Sequence, residues 1–91
     1  VRDAEYPKWL REMPCAVCAF IGEVQKTRTE AHHTTSRGAG GGDDTAAPTC
    51  KAHHQQYHVL GRKSFKQKYG VDLPAIAGQL WKEWQRYGWA A

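Results

Sequence analysis

The sequence predicts an α+β domain, with a short strand-bearing middle and helices packed at either end. Three observations lead there. The last third carries a wide helical stripe of apolar residues, the middle holds a weakly strand-like run broken by a glycine-rich loop, and 91 residues suffice for one domain only.

Tyr6, Trp9, Leu10 and Met13 follow helical spacing, so a helix is expected over about 4–13, leading into Pro14 and Cys15. Phe20 and Ile21 and a polar run to Thr29 follow, in which Val24, two threonines and the next Glu30-Ala31 fit a short hairpin of weak alternation. Ser36-Arg-Gly-Ala-Gly-Gly-Gly-Asp-Asp44 reads as a flexible loop. A helix follows, with Thr49 as its expected N-cap and Gly61 as its stop, closing a core of about 14–61. Phe65 and Tyr69 mark a helix over about 62–69 that ends at Gly70. Asp72 suits the cap of a last helix over about 73–87, and Pro74 falls in its first turn, where a missing N–H costs little. Leu73, Ile76, Ala77, Leu80, Trp81, Trp84 and Tyr87 form its stripe. Core packing is the expected use of that stripe; a partner surface is the alternative.

A chain of this size buries a modest core and often needs a metal or disulfides as a staple. Three cysteines is an odd number, which argues against a disulfide framework. No apolar run reaches the 18 or more residues of a membrane span, and no signal-peptide pattern opens the chain. The thiols are therefore read as reduced, in a cytoplasmic compartment. Thirteen Lys+Arg against nine Asp+Glu give a net charge of +4, which suits nucleic acid without requiring it.

All cysteines and histidines fall into three groups: Cys15/Cys18, His32/His33 and Cys50/His53/His54/His58. On a helix, Cys50 and His53 share one face and His54 and His58 another, so one ion cannot take all four. The spacing predicts two metal sites on two sides of one helix. Cys15-x-x-Cys18 with Cys50-x-x-His53 supplies three thiolates and an imidazole, the closed donor set of a structural zinc. Such binding is itself folding free energy, on the order of 10 kcal/mol in zinc-finger peptides. The second site has His54 and His58, with His32 and His33 to complete it. Two or three imidazoles would leave positions open for water and phosphate, and one imidazole off the metal would serve as a base near neutral pH. Neighbours on a regular strand point to opposite faces, so His32 and His33 enter one site only at a bulge or strand end.

Glu30-Ala-His32-His33, an acidic residue after a glycine-rich loop, and Pro48-Thr-Cys50-Lys-Ala-His53-His54-x-x-x-His58 together resemble the HNH endonucleases. The resemblance is closest to small phage and prophage HNH proteins, recombination-associated nucleases among them, and covers roughly Pro14 to Leu73. It implies a ββα-metal fold in which two strands supply His32 and His33 and the helix supplies His54 and His58. It further implies His32 as the first ligand of a catalytic metal, His54 and His58 as the others, and His33 as general base. The middle motif position falls at Asp43 or Asp44; Asp44 is favoured, six residues before Cys50, to brace the loop or orient the base. Imidazole ligands suit Zn²⁺, Mn²⁺, Ni²⁺ or Co²⁺ better than Mg²⁺, although relatives often work with Mg²⁺ or Mn²⁺.

The implied activity is DNA phosphodiester hydrolysis with low sequence selectivity in a bacterial or phage setting, nicking being the simplest outcome if the chain acts as a monomer. A recombination partner is conceivable from the family, and no residue identifies one. Two departures stand out: His53 replaces the second cysteine of the usual later pair, and the loop lacks a lysine that some relatives carry. Arg37, Lys51 and Lys63, with Arg62 and Lys66, are the phosphate-binding candidates. Trp9, Trp81 and Trp84 are expected in the core rather than stacked on bases, and Trp89 has no assigned place. Two other functions compete: a non-catalytic zinc-finger module that binds nucleic acid, and a disulfide oxidoreductase built on Cys15 and Cys18.

Overall fold

Tyr6 and Leu10 lie four apart, and both are fully buried in the first helix, α1 (Glu5–Arg11), which ends two residues before Met13. The computed structural model describes residues 5–35 and 41–86. After α1 come α2 (Ala16–Ile21), β1 (Glu30–His33), a 3-10 turn (Asp43–Thr45), β2 (Ala46–Thr49), α3 (Lys51–Tyr69) and α4 (Leu73–Arg86). The result is a small α+β fold, in which one antiparallel pair of strands carries helices on its flanks. Arg37, Tyr87 and Trp89 lie outside the described residues.

The hairpin expected from Val24 to Ala31 does not form as a local pair, since only Glu30 and Ala31 join a strand and that strand pairs with β2. Phe20 and Ile21 belong to α2, which Gly22 closes in the left-handed conformation, φ 75°. The polar run 22–29 then has no regular element, because its weak alternation offers no apolar face to bury. Gln25 ties it down: its Oε1 accepts from the Cys15 N–H at 2.7 Å, and its Nε2 donates to the Thr27 carbonyl and Thr29 Oγ1, both at 2.8 Å. Strand structure begins at Glu30. The register pairs Glu30 with Thr49, Ala31 with Pro48, His32 with Ala47 and His33 with Ala46, so the glycine-rich loop joins the strands. Both His32 and His33 therefore come from β1, His33 as its last residue, and β2 supplies neither, where the resemblance implied a supply from two strands.

Gly61 divides α3 as expected, and does so sharply. Its φ of 79° and ψ of 171° belong to a region that only glycine enters readily. The arms 51–60 and 62–69 fold back on each other. His53 meets Tyr69 with ring centroids 5.1 Å apart, Tyr57 meets Phe65 at 5.4 Å, and each contacting pair is equidistant from Gly61. Lys68 Nζ donates to Gln56 Oε1 at 3.1 Å along the same seam. Beyond the second arm, Gly70 (φ 74°) closes the helix and Arg62 makes a bidentate pair with Asp72, both bonds 3.0 Å. Asp72 caps α4: the Arg62 guanidinium, and to a smaller extent the Ala75 N–H, hold its carboxyl below the usual range.

Two apolar clusters meet across the strands. One joins Val17 of α2, Ala47 of β2, Tyr57 and Phe65 of α3, and Leu73 and Ala77 of α4. The other joins Tyr6 and Leu10 to Ala46 and Trp84, with Trp9, Leu80 and Trp81 around them. The α4 stripe is thus core as far as Trp84. Trp81 meets the Tyr6 ring edge-on at 5.0 Å, and the Tyr6 hydroxyl reaches the Ala46 carbonyl at 3.3 Å. Burial of each large side chain contributes about 1.5–3 kcal/mol. This second cluster clamps α1 and α4 onto the strand pair that carries His32 and His33.

Candidate metal centres

Two helix starts converge to build the first cluster. Cys15 precedes α2 and accepts from the Cys18 N–H at 3.4 Å; Cys50 precedes α3, and His53 lies in its first turn. Since Cys50 offers α3 no side-chain cap, Thr27 Oγ1 substitutes by accepting from the Lys51 N–H at 3.1 Å. The Cys50 sulfur is left for other work. With Zn–S of about 2.3 Å and Zn–N of about 2.0–2.1 Å, a tetrahedral site has S···S edges of about 3.8 Å and S···N edges of about 3.6 Å. Cys18 and Cys50 sulfurs stand 3.8 Å apart, and His53 Nδ1 lies 3.6, 3.5 and 3.2 Å from the sulfurs of Cys15, Cys18 and Cys50. These four buried donors fit a metal such as zinc. Burial, followed by hydrogen bonding and charge repulsion from Cys15 and Cys50, pushes the Cys18 thiol up to about 12, so a cation is what would allow three thiolates here. All three cysteines are free and buried, a poor setting for an exchanging dithiol.

The second cluster lies on the other face of the first arm of α3. His32, His54 and His58 present ligand nitrogens within 4.8 Å of one another. His32 and His54 stack at 4.0 Å between centroids, and His58 lies 4.9 Å from His54. His32 is fully buried, with Thr49 Oγ1 3.4 Å from its Nδ1, while its Nε2 has no hydrogen-bond partner among the described residues. An orphaned buried nitrogen costs about 1–3 kcal/mol, a cost that coordination would offset. Burial, then the neighbouring His54, His58 and His33, lowers the His32 pKa to about 3, so its lone pair is free at neutral pH. His54 Nδ1 donates to Glu30 Oε1 at 2.7 Å; a carboxylate only accepts, so the proton sits on Nδ1 and Nε2 is open for a ligand bond. His58 is the exposed member of the group.

His32 and His33 separate as strand alternation requires. His32 turns toward α3, and His33 Nε2 meets Asp43 Oδ1 at 2.9 Å. Asp43, and not the favoured Asp44, therefore holds this ring. Successive residues of a 3-10 turn point about 120° apart, so only one of the two carboxylates can face His33. Burial, then Asp44 and to a smaller extent Asp43, raises the pKa of Tyr6. With Nε2–H directed at Asp43, His33 keeps a lone pair on Nδ1.

Among the phosphate candidates, Lys51, Lys63 and Lys66 are exposed on α3. Arg62 leaves that set because Asp72 occupies its guanidinium. Trp9, Trp81 and Trp84 lie in the aromatic cluster around Tyr6, as expected of core residues. Glu30 and Gln25 had no assigned role in the sequence. Glu30 stands within the motif but its bond to His54 spans 24 residues, and no local pattern reports it. No helix among the described residues is long and apolar enough to cross a membrane. Comparison of the chain with protein-family models, with curated proteins and with solved structures finds no match.

Proposed function

We propose that the protein is a metal-dependent nuclease of the HNH, ββα-metal kind that hydrolyses phosphodiester bonds in DNA. One observation carries the reading: the buried, unpartnered Nε2 of His32 is gathered with His54 and His58, while His33 is held separately by Asp43. A closed three-cysteine, one-histidine site needs none of these four residues. A divalent ion held by His32, His54 and His58 would supply Lewis acidity to a phosphate oxygen and to the leaving 3′ oxygen.

The chain's own groups do the rest. His33 takes a proton from attacking water at Nδ1, and Asp43, bonded to Nε2–H, fixes the tautomer and stabilises the imidazolium that forms. Glu30 holds the His54 ring, and Thr49 contacts that of His32. Loss of the 3′ oxygen leaves 5′-phosphate and 3′-hydroxyl ends, and one such site per chain cuts one strand at a time. The ion remains a first-row or alkaline-earth divalent cation, with imidazole favouring Zn²⁺, Mn²⁺, Ni²⁺ or Co²⁺.

Supercoiled plasmid incubated with zinc-loaded protein and Mn²⁺ or Mg²⁺ tests the proposal. Relaxation by wild type, and none by His33→Ala or with chelator, is the expected result; full activity in folded His33→Ala removes His33 as base. The second reading, a non-catalytic zinc module, is favoured by the completeness of the first cluster alone. It requires one ion per chain and no cleavage under any of these conditions.

A further inference from the structure

Positive charge is not spread evenly. Residues 51–69 contain Lys51, Arg62, Lys63, Lys66 and Lys68 and neither Asp nor Glu, so the net +4 of the whole chain is accounted for on this one helical hairpin. Asp72 neutralises Arg62, and Lys68 is drawn to Gln56 and the face of Tyr69. Lys51 and Lys63 make no side-chain hydrogen bond or ion pair with any described residue. Lys66 makes none either, although it stands in the field of Asp72. Phe65 is fully buried and turns inward against Tyr57, which leaves Lys63 and Lys66 outside, three residues apart on one face. On the first arm, Lys51 and His58 are seven apart and also share a face.

We propose that the outer ridge of this hairpin, carried by Lys51, Lys63 and Lys66, docks the sugar–phosphate backbone of duplex DNA alongside the His32–His54–His58 site. The proposal rests on the nuclease reading for its choice of polyanion. The first arm bears His54 and His58, and the second follows it past Gly61, with no acidic residue in either arm. An anionic bilayer fits less well, because the second arm keeps its large apolar side chain inside. Eight residues at 1.5 Å each make that arm about 12 Å long. It would follow about three to four base steps at 3.4 Å per step.

Binding without cleavage separates this ridge from the chemistry. Zinc-loaded protein carrying His33→Ala is titrated onto a short fluorescent DNA duplex at several salt concentrations, with probe integrity checked on a denaturing gel. Each phosphate contact contributes about 0.9 to the slope of log affinity against log salt. Lys63→Ala/Lys66→Ala should lower that slope by about two and weaken binding about eightfold per contact near 0.1 M salt. Lys82→Ala, an exposed lysine of α4, should change neither. An unchanged slope in the double variant, with its melting temperature intact, overturns the ridge even if plasmid cleavage succeeds. An equal loss in Lys82→Ala overturns it as well, since the effect would then be net charge. So does an absence of duplex binding together with lysine-dependent capture by phosphatidylserine vesicles, which would assign the face to a membrane.

Discussion

Glu30 makes no bond to a metal, yet its removal should weaken the second site. Its carboxylate accepts from His54 Nδ1 at 2.7 Å, a short charge-assisted bond that fixes the tautomer and the orientation of one ligand in three. Outer partners of this kind are typically worth 10- to 100-fold in metal affinity, or about 1.4–2.7 kcal/mol. The Glu30 side chain is 45% exposed and that of His54 28%, so water screens the pair and the lower half of the range applies. Glu30→Gln should therefore raise the second-site dissociation constant about tenfold, and Glu30→Ala somewhat more. Isothermal titration of Zn²⁺ or Co²⁺ into metal-free protein reads both sites, the tight sulfur-rich one first. The first event should be unchanged, because Glu30 touches none of its donors. An unaltered second event would refute the orienting role, and equal weakening of both events would reduce Glu30 to a general fold effect.

If the proposed nuclease reading holds, Asp43→Ala should lower cleavage about 10²-fold or more through loss of the group that holds the proposed base His33, on the scale of general-base contributions, with metal stoichiometry unchanged. Plasmid relaxation rates of Asp43→Ala and wild type measure this. Gly61→Ala and Gly78→Ala form a matched pair, since an added Cβ meets nothing within 4 Å at either position. Gly61→Ala should cost about 1–3 kcal/mol for its backbone conformation, whereas Gly78→Ala, inside α4, should stabilise by about 0.5–1 kcal/mol. Urea melts with opposite signs are the expected result, and equal signs would contradict the tight turn at Gly61. Arg62 lowers the Asp72 pKa in the folded chain, so the pair's stabilisation is complete above the unfolded carboxylate value near 4 and is lost as pH falls through the folded one. Acid titration of stability should be shallower in Asp72→Asn than in wild type over that range.

Local spacing made much of this molecule legible. Cys15-x-x-Cys18 and Cys50-x-x-His53 put paired donors at helix starts, and the three-versus-four spacing within 50–58 alone divides the candidate ligands between two faces. Gly61 and Gly70 marked helix ends because their positive φ values leave glycine the natural choice. Relations across space were not legible. The weak alternation around Val24 reads as a local hairpin, yet only Glu30 and Ala31 join a strand and their partner is the distant β2, a tertiary effect that overrides weak propensity. The choice between Asp43 and Asp44 depended on the phase of a single 3-10 turn, and Glu30 found His54 only through the strand register. The fold-back of α3 rests on the Tyr57–Phe65 and His53–Tyr69 contacts, which no periodicity within either arm encodes.

The account stands on two metal sites of different kind on one helical arm. Native mass spectrometry of the protein saturated with Zn²⁺ or Co²⁺ tests that claim directly, with His58→Ala measured beside wild type. Wild type should carry two ions, and His58→Ala one ion with its fold retained, since Cys15, Cys18, Cys50 and His53 remain complete. A single ion on wild type at saturation, unchanged in His58→Ala, would contradict the second site and the hydrolytic chemistry built on it.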